Sequence, residues 1–97
     1  MDSAMTREQA IAALTAQGLD ATPRDWNFGE TIVIMSGHIK EANGMKWYAH
    51  SVYLYPHDGR WHVLEHGVPD PSATYDSLEL AVADIHRFIP VPFRNGT

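Results

Sequence analysis

The chain has 97 residues, 44% of them hydrophobic and 20% charged, with no cysteine and a net charge of -5. That length suits one domain with one modest core, and the missing thiols exclude disulfides and thiolate chemistry. Seven scattered basic residues (Arg7, Arg24, Lys40, Lys46, Arg60, Arg87 and Arg94) argue against direct nucleic-acid binding, which needs clustered Lys and Arg.

Thr6-Arg7-Glu8-Gln9 has the form of a capping box: the Thr hydroxyl takes the Gln9 amide and Gln9 reaches back. Ala10, Ile11, Ala13 and Leu14 follow at helical spacing, and Gly18 suits a left-handed terminus, so a helix is expected at about 7–17. The region before it has no basic segment leading into an apolar stretch, and no apolar run approaches the roughly 20 residues of a membrane helix. The expectation is a cytoplasmic chain with no membrane partner. Residues 19–29, with Pro23, Trp26 and Phe28, read as a connection.

Ile32-Val33-Ile34-Met35 is short and β-branched, and predicts a strand at about 30–40. Asn43-Gly44 is a type I′ hairpin signal, because both residues tolerate positive φ. A second strand is expected at about 45–55. Pro56-His57-Asp58-Gly59 is turn chemistry, and a third strand follows at about 60–67. Pro69-Asp70-Pro71-Ser72 reads as a rigid loop. Asp76 or Ser77 caps a second helix at about 77–89, whose apolar stripe is Leu78, Ala81, Val82, Ile85, Phe88 and Ile89. Pro90 and Pro92 end it and leave 91–97 as a loose tail. The expected fold is a single α+β domain. It is a two-layer sandwich of order α-β-β-β-α, with a three-stranded antiparallel meander and both helices on one face.

The turns imply a register. A two-residue turn at Asn43-Gly44 pairs Lys40 with Trp47, Ile34 with Tyr53 and Ile32 with Tyr55 on one side, and Ile39 with Tyr48, Met35 with Val52 and Val33 with Leu54 on the other. A three-residue loop with Gly59 as a bulge then pairs Tyr55 with Trp61, Tyr53 with Val63, Val52 with Leu64 and His50 with His66. One face is mainly aliphatic and seats the helices. The other carries Ile32, Ile34, Trp47, Tyr53, Tyr55, Trp61 and Val63. Such a patch needs a cover, which is either the 19–29 segment, a second copy of the chain or a partner protein.

The order α-β-β-β-α resembles that of double-stranded RNA-binding domains. Those domains carry a lysine cluster at the start of their second helix. Here the matching stretch, Ser77-Leu78-Glu79-Leu80-Ala81, is acidic and apolar, so the resemblance implies element order and not RNA binding.

Six histidines raise the question of a metal. His62 and His66 share a strand face but lie about 13 Å apart, and His50 opposite His66 is a two-ligand start with nothing to complete it. No metal or cofactor is expected. No nucleophile elbow, phosphate loop or dinucleotide fingerprint is present, so no enzyme is expected. The reading that follows is a small acidic protein-binding module of the inhibitor or immunity type, as in bacterial toxin antagonists and phage-encoded inhibitors of host defence. Trp47, Tyr53, Tyr55 and Trp61 are its expected anchors, with Asp58 and Glu65 on the rim facing a basic partner. The alternatives are a homodimeric structural or regulatory subunit joined through the aromatic face, and a small-ligand binder or enzyme using His50 and His66.

Overall fold

The computed structural model describes residues 4–26 and 29–91. Helix α1 (Arg7–Ala16) begins at the expected capping box: the Gln9 amide donates to Thr6 Oγ1 at 3.1 Å, and the Thr6 amide donates to Gln9 Oε1 at 2.9 Å. It ends in a Schellman turn. Gly18, with φ +88°, donates to the Thr15 carbonyl, and Leu19 donates to that of Leu14.

Five strands follow: β1 (Asp20–Trp26), β2 (Gly29–Ala42), β3 (Met45–His57), β4 (Arg60–Glu65) and β5 (Ala73–Tyr75). They form one antiparallel sheet in sequential order, a meander. The α+β meander expected from the sequence is present, and it is longer by one edge strand on each side. On one side, the 19–29 connection is largely strand β1. Its Pro23 pairs with Ile32 and is tolerated because an edge strand leaves one row of backbone donors unused. On the other side, β5 pairs with Trp61, His62 and Val63.

Helix α2 (Leu78–Ala83) is capped by Ser77, whose Oγ accepts from the Leu80 amide at 3.2 Å. The expected single helix is interrupted at Asp84 and resumes as a 3-10 turn at Ile85–Arg87. Asp84 accepts from Tyr75 Oη at 2.9 Å and from Arg87 at 3.1 Å, contacts that hold its carboxyl below the usual carboxylate range. The apolar spacing survives the break: Leu78, Ala81, Val82, Ile85 and Ile89 are all buried. Of the expected loose tail at 91–97, Val91 instead packs partly buried against the core, and 92–97 lie outside the described residues.

Two single-residue offsets decide the faces. Near the first turn Ala42 pairs with Met45 and Lys40 with Trp47, as expected. Between His38 and Lys40 the register shifts, so β2 spends one more residue than β3. Beyond that bulge Ile34 pairs with Val52 and Ile32 with Leu54, not with Tyr53 and Tyr55. The second turn is a two-residue loop, with Asp58 at φ +53° and Gly59 at φ +75°. Asp tolerates the left-handed region, so the expected three-residue loop is not needed. Leu54 therefore meets Val63, Pro56 meets Trp61 and Tyr53 meets Leu64.

The core accordingly sits under the helices. Ile32, Ile34, Val52, Leu54 and Val63 from the sheet close against Ala10 and Leu14 of α1 and Leu78, Ala81 and Val82 of α2. Arg7 ties α1 to β1 through Asp25 at 2.8 Å. Ser36 Oγ donates to the Pro90 carbonyl at 2.7 Å and fastens the end of the second helical segment to β2.

The two turns should respond differently to substitution. No atom lies within 4 Å of a Cβ built at Gly59 or Gly44, so steric crowding is absent at both and the positive φ alone is tested. Gly59→Val is expected to lower global stability by about 1–2 kcal/mol, read as a shift of the urea midpoint. Gly44→Val, at the outer end of β2 and β3, should mainly accelerate amide exchange in residues near the turn. An unchanged midpoint for Gly59→Val would contradict the left-handed two-residue turn.

Candidate functional site

The β2–β3 hairpin outruns its neighbours. β1 pairs with β2 no further than Met35, and β4 joins β3 at Val52, with a last bond from the His66 amide to the Ser51 carbonyl at 3.2 Å. Residues 36–42 and 45–50 therefore find their sheet pairing in each other. Seven residues of β2 at strand rise give a ribbon on the order of 20 Å long. Its outer edges carry the groups that a further strand would pair with. Near its tip Met45 is 58% exposed and Trp47 49% exposed. Strand β3 has no bulge of its own, so alternation puts Met45, Trp47, Ala49, Ser51, Tyr53 and Tyr55 on one side.

Closer to the body, the helix-free face is polar-aromatic and partly closed. Tyr55 is buried and stacks on His62, with centroids 5.3 Å apart and planes at 17°; burial raises its phenol above the ordinary value. His62 uses both ring nitrogens. Nε2 lies 3.3 Å from the His57 carbonyl, which can only accept, and Nδ1 lies 3.1 Å from Thr74 Oγ1. Tyr53 Oη lies 3.0 Å from His66 Nδ1. Thr31 and Val33 are buried on this side of β2.

The six expected contact residues do not converge. Trp47 is exposed on the ribbon, Tyr53 is half-buried beside His66, and Tyr55 lies under His62. Trp61 belongs to the opposite, helix-bearing face and packs partly buried against the core, because the two-residue turn moved β4 by one position. The same shift pairs Glu65 with Val52, where its carboxylate accepts from Ser72 Oγ at 2.6 Å. Asp58 is exposed in the turn, 3.3 Å from His57 Nε2. The expected His50–His66 pairing is also replaced, since the His66 amide bonds to the Ser51 carbonyl; His50 and His66 still border one open cavity of about 280 Å³, with Tyr48, Glu65 and Phe88. Among the described residues no group of three or more His, Asp or Glu could hold a metal ion. The Trp26 side chain and Phe28, the expected covers of the second face, lie outside the described residues.

A second feature, not apparent from the sequence, lies at the base of the ribbon on the helix side. Thr15, Gly18, Leu19, Asp20, Ala21, Met35, Ser36, Gly37 and Tyr48 line a cleft of about 510 Å³. Tyr48 Oη donates to Asp20 Oδ2 across it. That bond, burial and the charges of Asp20 and Glu41 push the Tyr48 phenol up to about 12. Asp20 and Tyr48 are 28 residues apart, and no local pattern joins them. Gly37 has φ +74°, and a Cβ there would come within 3.1 Å of Ala49 Cβ, so the chain needs glycine at this wall.

Compared with known proteins, the chain matches no family model, no curated protein and no solved structure. Among the described residues no helix is long and apolar enough to cross a membrane.

The Asp20–Tyr48 bond can be read directly by tyrosine Cζ NMR over an alkaline titration. Tyr48 should ionise near 12 in the wild type and fall toward the ordinary value of about 10 in Asp20→Asn. Its folded value is raised, so the stabilisation is complete below about 10 and is lost as pH climbs through the folded value. An unchanged Tyr48 titration in Asp20→Asn would show that the bond is not the cause.

Proposed function

We propose that this chain is a small, acidic, non-enzymatic protein-binding module of the cytoplasm that occludes a surface of its partner, in the manner of an inhibitor or immunity protein. The observation that carries this reading is the ribbon, with Trp47 and Met45 exposed on one side of β3. Trp is the residue type most enriched at binding hot spots, and Met is enriched at interfaces. A projecting strand pair offers an apolar side for packing and open edges for strand addition. Trp47 is the principal anchor, Met45 its neighbour, and Tyr53 the inner limit of the contact. The net charge of -5 favours a basic partner through long-range steering.

The ribbon edges also support a second reading, in which two copies pair edge to edge as a homodimeric structural or regulatory subunit. Light scattering at high concentration separates the two readings. The occlusion reading expects the mass of one chain, and the dimer reading twice that.

The anchor is tested by comparing wild type and Trp47→Ala as baits in the native lysate, after circular dichroism has shown both folded. A discrete partner should be retained by the wild type and at least about tenfold less by the variant, the loss typical of a hot-spot Trp. Equal retention by both would rule out Trp47 as the anchor.

A further inference from the structure

Asp20 sits where its charge is least favoured. The C-terminal pole of a helix is negative and stabilises cations. Helix α1 has no basic residue in its last turn, and the first charged side chain beyond its cap is the Asp20 carboxylate. None of the ion pairs Arg7–Asp25, His57–Asp58, Arg60–Asp76 and Arg87–Asp84 involves Asp20. Its carboxylate accepts from the neutral Tyr48 hydroxyl. An anionic group thus faces a cleft of small-ligand size, beside a negative helix end and without a cation of its own.

We propose that this cleft is a binding site for a single alkylguanidinium or alkylammonium group. Asp20 receives the charge. One of its oxygens accepts from Tyr48, but each carboxylate oxygen has two acceptor positions, so both remain available to a cation's N–H groups. The Tyr48 bond fixes the carboxylate's orientation, and Tyr48 lines the cleft beside it. Leu19, Ala21 and Met35 line the same cleft and suit an alkyl stem. The chemistry selects a monocation: the site holds one carboxylate, and Tyr48 keeps its proton well above neutral pH. A divalent ion would require further anionic or imidazole ligands, which the lining residues do not provide.

This deepens the protein-binding reading by giving the partner's chemistry at the base of the ribbon, namely a basic side chain. It is measured without the partner. The full chain is titrated with N-acetylarginine N-methylamide, with butylguanidine, and with the neutral N-acetylnorleucine N-methylamide, and amide shifts are followed by NMR. Both guanidinium probes should give saturable shifts at Gly18, Asp20, Gly37 and Tyr48, and the neutral probe should not. Tighter binding of the blocked arginine points to a peptide side chain as the natural ligand, and tighter binding of butylguanidine to a free small cation; either supports the site. Asp20→Asn should bind at least about tenfold more weakly, the loss of one charge-assisted contact. Absent shifts, equal shifts with the neutral probe, or undiminished binding by a folded Asp20→Asn would overturn the proposal. The neutral-probe comparison uses wild type alone and holds whether or not the variant folds. Failure here would leave the Trp47 comparison untouched, since that test uses a different surface and a different ligand.

Discussion

Strand β3 sits between two single-residue offsets, and the placement of nearly every other side chain follows from them. On one side, β2 takes an extra residue between His38 and Lys40. On the other, Asp58-Gly59 closes a two-residue turn. Each offset moves its strand by one place relative to β3, and a shift of one exchanges the faces of a strand. Together they bring Ile32, Ile34 and Val63 onto the side of Val52 and Leu54, where the helices close over all five. Without either offset, one flank of the core would lose its aliphatic layer.

The same arrangement produces the surfaces that matter for function. β2 leaves the shelter of β1 after Met35, where the sheet narrows to a ribbon of two strands, and the bulge between His38 and Lys40 lies within that ribbon. Core formation is finished by Ile34 and Val52, and the outer hairpin is free to present Trp47 and Met45. At the junction, the Schellman turn of α1 brings Asp20 across from Tyr48. On the helix-free face, Tyr55, His62 and Thr74 form a short chain of contacts across three strands, which closes that face partly and leaves it polar.

Much of this was legible in the residues. Thr6 and Gln9 announce the first helix, Gly18 its end, and Asn43-Gly44 the hairpin, because each is a local device with a local cause. The alternation of Val52 and Leu54 against Tyr53 and Tyr55 is also plain. What was hidden is non-local or low in contrast. No residue type marks the extra position in β2, and Gly37, with its positive φ and close approach to Ala49, is its nearest trace. Pro23 disguised β1, although proline is compatible with an edge. β5 has three residues, too few for a periodic signal. Asp84 breaks the last helix through partners at 75 and 87, and the apolar stripe gives no hint of that break. For the site, exposure of Trp47 was foreseeable from its place near a turn. The transfer of Trp61 to the core side was not, because it depends on the register.

The register itself is therefore the quantity to measure. A NOESY spectrum of the labelled protein reports which residues of adjacent strands face each other. Contacts should join Ile34 with Val52 and Leu54 with Val63, while Ala42 stays opposite Met45, so that one residue is skipped in β2 between the two sets. Contacts joining Ile34 with Tyr53 and Tyr55 with Trp61 would mean an unbulged hairpin and a three-residue second turn. They would return Trp61 to the helix-free face and contradict the arrangement on which the core, the ribbon and the cleft depend.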